Sequence, residues 1–268
     1  MSTTKWQRIL ITGAAGRLGS QLRTGLQGAA QVLRLTDLRE LGTAAAGEEL
    51  VQADLSDFAA VQALMQGVDA VLHFGAVMVM QPWDSVLPAN IIGSYNVFEA
   101  ARQAGVKRII YASSSHAVGM YACNDVLDAN SPPRPDTPYG LSKAFGEDLA
   151  RMYFDKYQME AACLRIGSCF PEATDERMLA TWLSHADLVQ LCRCCLDVPV
   201  LGYAIVYGMS DNPRRWWDNS KVAFLGYRPQ DSSAVFDNDQ LKKAPPPNAT
   251  DPSSRLQGGR FVLYPELP

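Results

Sequence analysis

The chain has 268 residues, 47% hydrophobic and 19% charged, with a formal net charge of −4. That is enough apolar material for one large α/β domain with a small appendage, and the acidic balance leaves no basic excess for nucleic-acid phosphates. The longest apolar stretch, Ala70 to Met80, contains His73 and Gly75 and is too short to span a membrane. Arg8 to Thr12 is an apolar run ending at Gly13, which predicts a buried strand feeding a helix of about Arg17 to Leu26. Val32 to Thr36 reads as a second strand closed by Asp37, and Glu49 to Gln52 as a third. The segment Asp54-Leu-Ser-Asp57 then caps a helix through Met65. Asp69 to His73 is a fourth strand, Ser85 to Ala104 a long helix, and Arg108 to Ala112 a fifth strand. A proline-rich loop, Asn130 to Pro138, ends in Asp136-Thr137-Pro138, a good helix start, and that helix runs to about Tyr157. Glu160 to Arg165 is a sixth strand. Beyond Gly167 the alternation weakens to a helix near Ser184 to Cys195, a strand at Gly202 to Tyr207 and a loop from Asp231 to Ser254.

Alternating strands and helices predict a Rossmann-type, doubly wound parallel sheet with right-handed crossovers. Residues 1–168 form its core with the catalytic groups, and 169–268 a small substrate-binding part that does not fold alone. The glycine turn starts too early to leave room for a signal peptide. The six cysteines lack zinc-site spacing and no metal is expected; thiols in a reducing cytoplasm are the plainer reading.

The turn Thr12-Gly13-Ala-Ala-Gly16-Arg-Leu-Gly19 exposes backbone N–H groups and a helix N-terminus suited to a pyrophosphate. Its spacing differs from G-x-G-x2-G, and its place between a first strand and a helix carries the dinucleotide reading. Asp37, 18 residues beyond Gly19, can accept from both adenosine ribose hydroxyls and repels a 2′-phosphate. NAD is therefore expected rather than NADP, a preference that Arg17 and Arg39 would soften. Asp54 and Leu55 flank the adenine, with helix capping compatible for Asp54. Tyr139 and Lys143 stand one helical turn apart on one face. A tyrosine has a pKa of about 10, so acting as a base near neutrality means stabilising its phenolate by roughly 4 kcal/mol. Lys143 and the positive nicotinamide push that way. Ser113-Ser114-Ser115 follow the fifth strand, at the end of the sheet where such folds bind ligands.

The TGxxGxxG turn, the serine after the fifth strand and the YxxxK pair resemble the extended short-chain dehydrogenase/reductase superfamily, over about Lys5 to Ser168. That resemblance selects Ser114, 25 residues before Tyr139, as the catalytic serine, and places Asn90 near the nicotinamide. It implies a cofactor site of Gly13, Gly16, Arg17, Leu18, Asp37, Leu38, Asp54, Leu55, Phe74, Gly75, Ala76, Asn90, Tyr139 and Lys143. Ser113 to His116, Leu164 to Cys169, Arg177 to Trp182, Trp216 to Ser220, Phe224 to Pro229 and Gln257 to Phe261 resemble bacterial uronate dehydrogenases more closely. These oxidise galacturonate or glucuronate at C1 to an aldarolactone and NADH. The likeness implies that Ser114, Ser115, His116, Ser168 and Arg177 contact the hexuronate, and that Cys169 approaches the cofactor by its backbone. Met78 stands where family members carry a small hydroxyl residue, which implies a lost sugar hydrogen bond, a shifted epimer preference or a contact made by the backbone alone. From its neighbours Asp175 and Glu176 alone, Arg177 would read as a solvated cation. Trp216 and Trp217 are expected to pack the appendage. Superfamily habit implies a homo-oligomer paired through the helices Ser85 to Ala104 and Pro138 to Tyr157. The rivals are an NAD-retaining sugar epimerase or dehydratase, and an NAD-sensing regulator without chemistry. The short region after Ser168 argues against the first, and the intact Ser114, Tyr139 and Lys143 set against the second.

Overall fold

The computed structural model describes residues 6–78, 80–237 and 250–263. Strands β1 (Trp6–Thr12), β2 (Ala30–Asp37), β3 (Glu48–Gln52), β4 (Ala70–His73), β5 (Arg108–Ser114) and β6 (Glu160–Ile166) follow the expected order. After the two-residue strands β7 (Ser168–Cys169) and β8 (Trp182–Leu183), β9 (Tyr203–Gly208) completes the main sheet. Its seven strands, all parallel, run in the order β3-β2-β1-β4-β5-β6-β9. The order reverses between β1 and β4, which opens a crevice at the strands' carboxyl ends.

Helices cover both faces. On one side α1 (Arg17–Gly25) joins α7 (His185–Asp197), with Leu22, Leu188, Leu191 and Cys192 packed on Ile9, Ile11 and Leu72. On the other, α2 (Phe58–Leu64), α4 (Gly93–Gln103) and α5 (Pro138–Tyr157) pack Val61, Phe98 and Tyr153 on Leu10, Val71 and Ile109. Consecutive residues of β1 thus enter opposite cores, as the twofold repeat of a strand demands. The segment after residue 168 contributes α7 and β9 to this frame, so the boundary drawn there does not coincide with a break in the sheet.

The expected long helix at Ser85 to Ala104 is three-part: α3 (Trp83–Val86), a π-type stretch Leu87–Ile92, and α4. Pro88 has no N–H to give the ladder, and the wider winding follows it. Helix α2 is capped by Asp57, which accepts from the N–H of Ala59 and Ala60, whereas Asp54 accepts from Ser56 in the preceding turn. The expected loop from Asp231 to Ser254 contains a 3-10 turn at Ser233–Phe236 and a helical turn α8 (Pro252–Arg255). Its stretch 238–249 lies outside the described residues. Helix α6 (Glu176–Thr181) was not visible in the sequence pattern. No helix among the described residues is long and apolar enough to cross a membrane.

Candidate active site

A cleft of about 970 Å³ lies over the carboxyl ends of β1, β4, β5 and β6. Its floor begins at the glycine turn. Gly13 has φ +69°, and a Cβ there would come within 2.7 Å of the Phe74 and Gly75 backbone. A Cβ on Gly19 would fall 2.1 Å from the Gly13 carbonyl oxygen, so only glycine lets α1 start this close to the turn. The resulting side-chain-free cradle, at a helix N-terminus, fits a pyrophosphate. Asp37 closes β2 beside it, with Oδ2 accepting from Ala15 N–H (3.0 Å) and Oδ1 from Arg39 N–H (3.0 Å). The carboxylate is thereby fixed, with lone pairs left for ribose hydroxyls. These residues fit the dinucleotide that the sequence implies.

Gly13, Gly16, Arg17, Leu18, Phe74, Ala76, Met78, Ser114, Ser115, His116, Tyr139, Lys143, Ser168, Cys169 and Arg177 all line the cleft. Leu38, Asp54, Leu55, Gly75, Asp37 and Asn90 do not. Gly75 donates its N–H to Thr12 Oγ1 (3.0 Å), and Leu55 packs against Gly75 and Gly93. Asn90 is buried in the π-type stretch, its Oδ1 accepting from Val77 N–H (2.8 Å) and its Nδ2 donating to Ser142 Oγ (2.9 Å) and Val77 O (3.2 Å). Its side chain braces the loop after β4 against the first turns of α5. Beneath, buried His73 bridges Thr12 Oγ1 (2.8 Å) and Ser94 Oγ (3.1 Å); burial, with Lys143 nearby, drops its pKa to about 3 and keeps it neutral.

Helix α5 delivers the phenol and the ammonium. Thr137 Oγ1 accepts from Gly140 N–H (3.0 Å) and Pro138 occupies the first turn, so Tyr139 sits at a helix N-terminus whose partial charge favours phenolate. Burial pushes Tyr139 up to about 12, against the pull of the adjacent Ser114 hydroxyl. Lys143 Nζ lies 5.5 Å from the Tyr139 ring centroid and 5.1 Å from that of Tyr111. Loss of hydration lowers Lys143 from 10.5 to about 7. Folded and unfolded chains both hold this proton below pH 7, where the cost of burying the ammonium is complete; above it the folded chain releases the proton first, so stability recovers towards pH 10.5. Cofactor-free Lys143→Met should therefore melt above the parent protein at pH 6, the gain shrinking towards pH 10. A calorimetric difference that is constant or of opposite sign would contradict a desolvated Lys143.

The serines separate by strand alternation. Ser113 Oγ donates to Glu147 (2.6 Å), which is paired with Arg165 through 2.9 and 2.8 Å contacts, and Arg165 donates to Tyr207 Oη (2.9 Å). This buried network ties β5 and β6 to α5 and engages the Ser113 hydroxyl. Ser114, on the other side of the strand, faces Tyr139. His116 Nδ1 contacts Asp136 Oδ2 (2.7 Å), which fixes the orientation of the ring in the cleft. Phe261 meets the His116 ring edge-on at 4.7 Å.

Arg177 turns inward, contrary to the solvated reading of its acidic neighbourhood. Asp175 caps α6 through Met178 N–H (2.7 Å), which leaves the next turn to point Arg177 at the cleft. Its Nε donates to Gln257 O (2.6 Å), Nη1 to Ser168 Oγ (3.2 Å) and Nη2 to Ser115 Oγ (3.5 Å). Burial lowers its pKa, and among the described residues no carboxylate comes within 4.0 Å of it. Cys169 is buried, its thiol raised to about 12 by desolvation. Met78 is 65% exposed at the mouth. The tryptophan pair divides: Trp217 packs on Tyr207, while Trp216 lines the cleft. Two further residues shape the cleft: Phe170, whose ring carries Arg17 at 3.9 Å, and Asp136, which meets His116 as well as preceding α5. Neither has a local signal, because both act across the chain.

The NAD dependent epimerase/dehydratase family matches residues 9–217. The uronate dehydrogenase of Pseudomonas putida is 50% identical over 264 residues, covering 98% of each chain. A solved uronate dehydrogenase from Agrobacterium tumefaciens, a tyrosine-to-alanine mutant complexed with NAD, is 47% identical with a TM-score of 0.92, covering 97% of this chain and 98% of that one. The solved glucuronic acid dehydrogenase of Chromohalobacter salexigens is 47% identical with a TM-score of 0.93, covering 96% and 97%. With half its residues shared over nearly the full length, and the same fold around a nucleotide-shaped turn, the chain belongs to the uronate dehydrogenases within the NAD-dependent epimerase/dehydratase family.

Proposed function

We propose that the protein oxidises a hexuronate, galacturonate or glucuronate, at C1 to the aldarolactone. The observation that carries this reading is Arg177, a half-buried cation whose hydrogen bonds among the described residues all go to neutral oxygens, in one cleft with Tyr139, Lys143 and Ser114. A guanidinium so placed is a receptor for the C6 carboxylate. The cradle of Gly13 and Gly16 and the carboxylate of Asp37 hold NAD in preference to NADP, and bound NAD+ supplies the acceptor for hydride from C1. Tyr139 takes the anomeric hydroxyl proton, Ser114 donates to the oxygen as its charge develops, and Lys143 lowers the cost of the phenolate. His116, Ser115 and Ser168 serve the sugar hydroxyls, and Met78 meets the ring's outer face at the mouth. The segments beyond residue 168 that cover the cleft, carrying Arg177, Trp216 and Phe261, form the substrate-binding part.

A single proton NMR time course with NAD+ and galacturonate tests the reading. One equivalent of NADH should accompany each equivalent of aldarolactone. Conversion to an epimeric uronate without net NADH would instead support the cofactor-retaining rival.

The protein acts as a homo-oligomer in this proposal. Tyr95 on α4 and Leu141 and Met152 on α5 stand 47%, 50% and 41% exposed, an apolar face suited to a second copy. Tyr95→Glu with Leu141→Glu should convert the assembly to monomer on a sizing column with light scattering. An unchanged mass would move the interface elsewhere. Six free thiols and a nicotinamide co-substrate fit a cytoplasmic location.

A further inference from the structure

Arg177 owes its direction to a residue 80 positions away. Gln257 is 1% exposed and has every polar group engaged. Its Nε2 donates to Ala122 O (3.1 Å) and Asp125 O (3.0 Å), and its Oε1 accepts from Trp217 Nε1 (2.9 Å). Its backbone N–H donates to Tyr121 O (2.8 Å), and its carbonyl accepts from Arg177 Nε (2.6 Å). Trp217 in turn stacks on Tyr207 of β9, centroids 5.1 Å apart. A chain of fixed contacts therefore runs from the sheet through Tyr207, Trp217 and Gln257 to the guanidinium. Two residues on, Gly259 has φ +61°, and a Cβ there would lie 2.6 Å from Arg177 Cδ, so the glycine admits the arginine stem.

The bond to Nε has a particular consequence. A guanidinium held at Nε and directed by two serine hydroxyls has its plane fixed, with the Nη pair turned into the cleft. Only a primary amide offers two donors and an acceptor on one planar head, which is what Ala122, Asp125 and Trp217 require.

We propose that Gln257 is the positioning residue for carboxylate recognition, setting the plane of Arg177 before substrate arrives. The proposal rests on Arg177 being the carboxylate clamp. Gln257 touches neither the reacting carbon nor the cofactor cradle, so its loss should weaken substrate capture and spare the chemical step.

The test is steady-state kinetics on galacturonate with Gln257→Met, Trp217→Phe, Arg177→Ala and the Gln257→Met/Arg177→Ala pair, with NAD affinity measured by fluorescence titration. Gln257→Met should raise KM roughly tenfold while kcat and NAD affinity stay within about twofold. Trp217→Phe keeps the stack and removes one donor; a KM rise of roughly threefold is expected, and this arm stands even where Gln257→Met does not fold. In the Arg177→Ala background Gln257→Met should add nothing, since the two act through one contact. Equal losses in kcat and NAD affinity, or a full further effect in that background, would reduce Gln257 to general structural support and overturn the proposal. Arg177→Ala with unchanged kinetics would defeat the clamp itself; a damaged Arg177→Ala beside silent Gln257→Met and Trp217→Phe would defeat only the role of Gln257.

Discussion

Tyr139→Phe should lower kcat for galacturonate by roughly 10²- to 10⁴-fold while NAD affinity stays within about twofold. The phenol is the acidic group that helix α5 aims into the cleft beside Ser114, with Lys143 5.5 Å from its ring. Burial pushes its pKa up to about 12, so burial by itself favours the phenol over the base. Stabilising the phenolate is left to the ammonium of Lys143, the start of α5 and the positive charge brought by the oxidised cofactor. The rate should accordingly rise with pH along a limb belonging to Tyr139, and Lys143→Met should shift that limb upward. Phenylalanine keeps the ring and removes only the oxygen, so the loss reports proton transfer rather than packing. A Tyr139→Phe enzyme within tenfold of the parent would place the base elsewhere.

Arg177→Ala is the second large effect. Removing one partner of a desolvated, hydrogen-bonded charge pair costs about 2–5 kcal/mol, or roughly 30- to 4,000-fold in kcat/KM. The loss should fall on galacturonate and leave NAD affinity unchanged, because Arg177 faces Ser115 and Ser168 rather than the glycine turn. Arg177→Lys should recover only part of it, since an ammonium brings charge without the planar fork. Equal loss of NAD binding, read by fluorescence titration, would contradict the assignment.

What the sequence made legible is what is local. Apolar runs ended by glycine or aspartate mark buried parallel strands, and the turn at Gly13 and the Tyr139–Lys143 pair are each written within one element. Asp57 rather than Asp54 caps α2, a choice between two carboxylates three residues apart that is settled by where the helix starts. The π-type stretch had a visible cause in Pro88, but the identity of the winding depends on what Asn90 reaches, Val77 and Ser142, across the fold. Ser113 and Ser114 are indistinguishable by composition; the buried carboxylate of Glu147 separates them by claiming Ser113. Arg177 is the sharpest case. Asp175 and Glu176 suggest a solvated run, yet Asp175 is used as a cap and the arginine is drawn in by the carbonyl of Gln257. Gln257 itself, in a stretch of glycines and polar residues, carries no local mark of burial.

The most direct test of the central claim follows the hydrogen on C1. Galacturonate deuterated at C1, incubated with NAD+ and the protein, should give reduced cofactor carrying one deuterium and an aldarolactone carrying none at C1. Deuterium retained in the sugar product, or no reduced cofactor with either uronate, would contradict oxidation at that carbon.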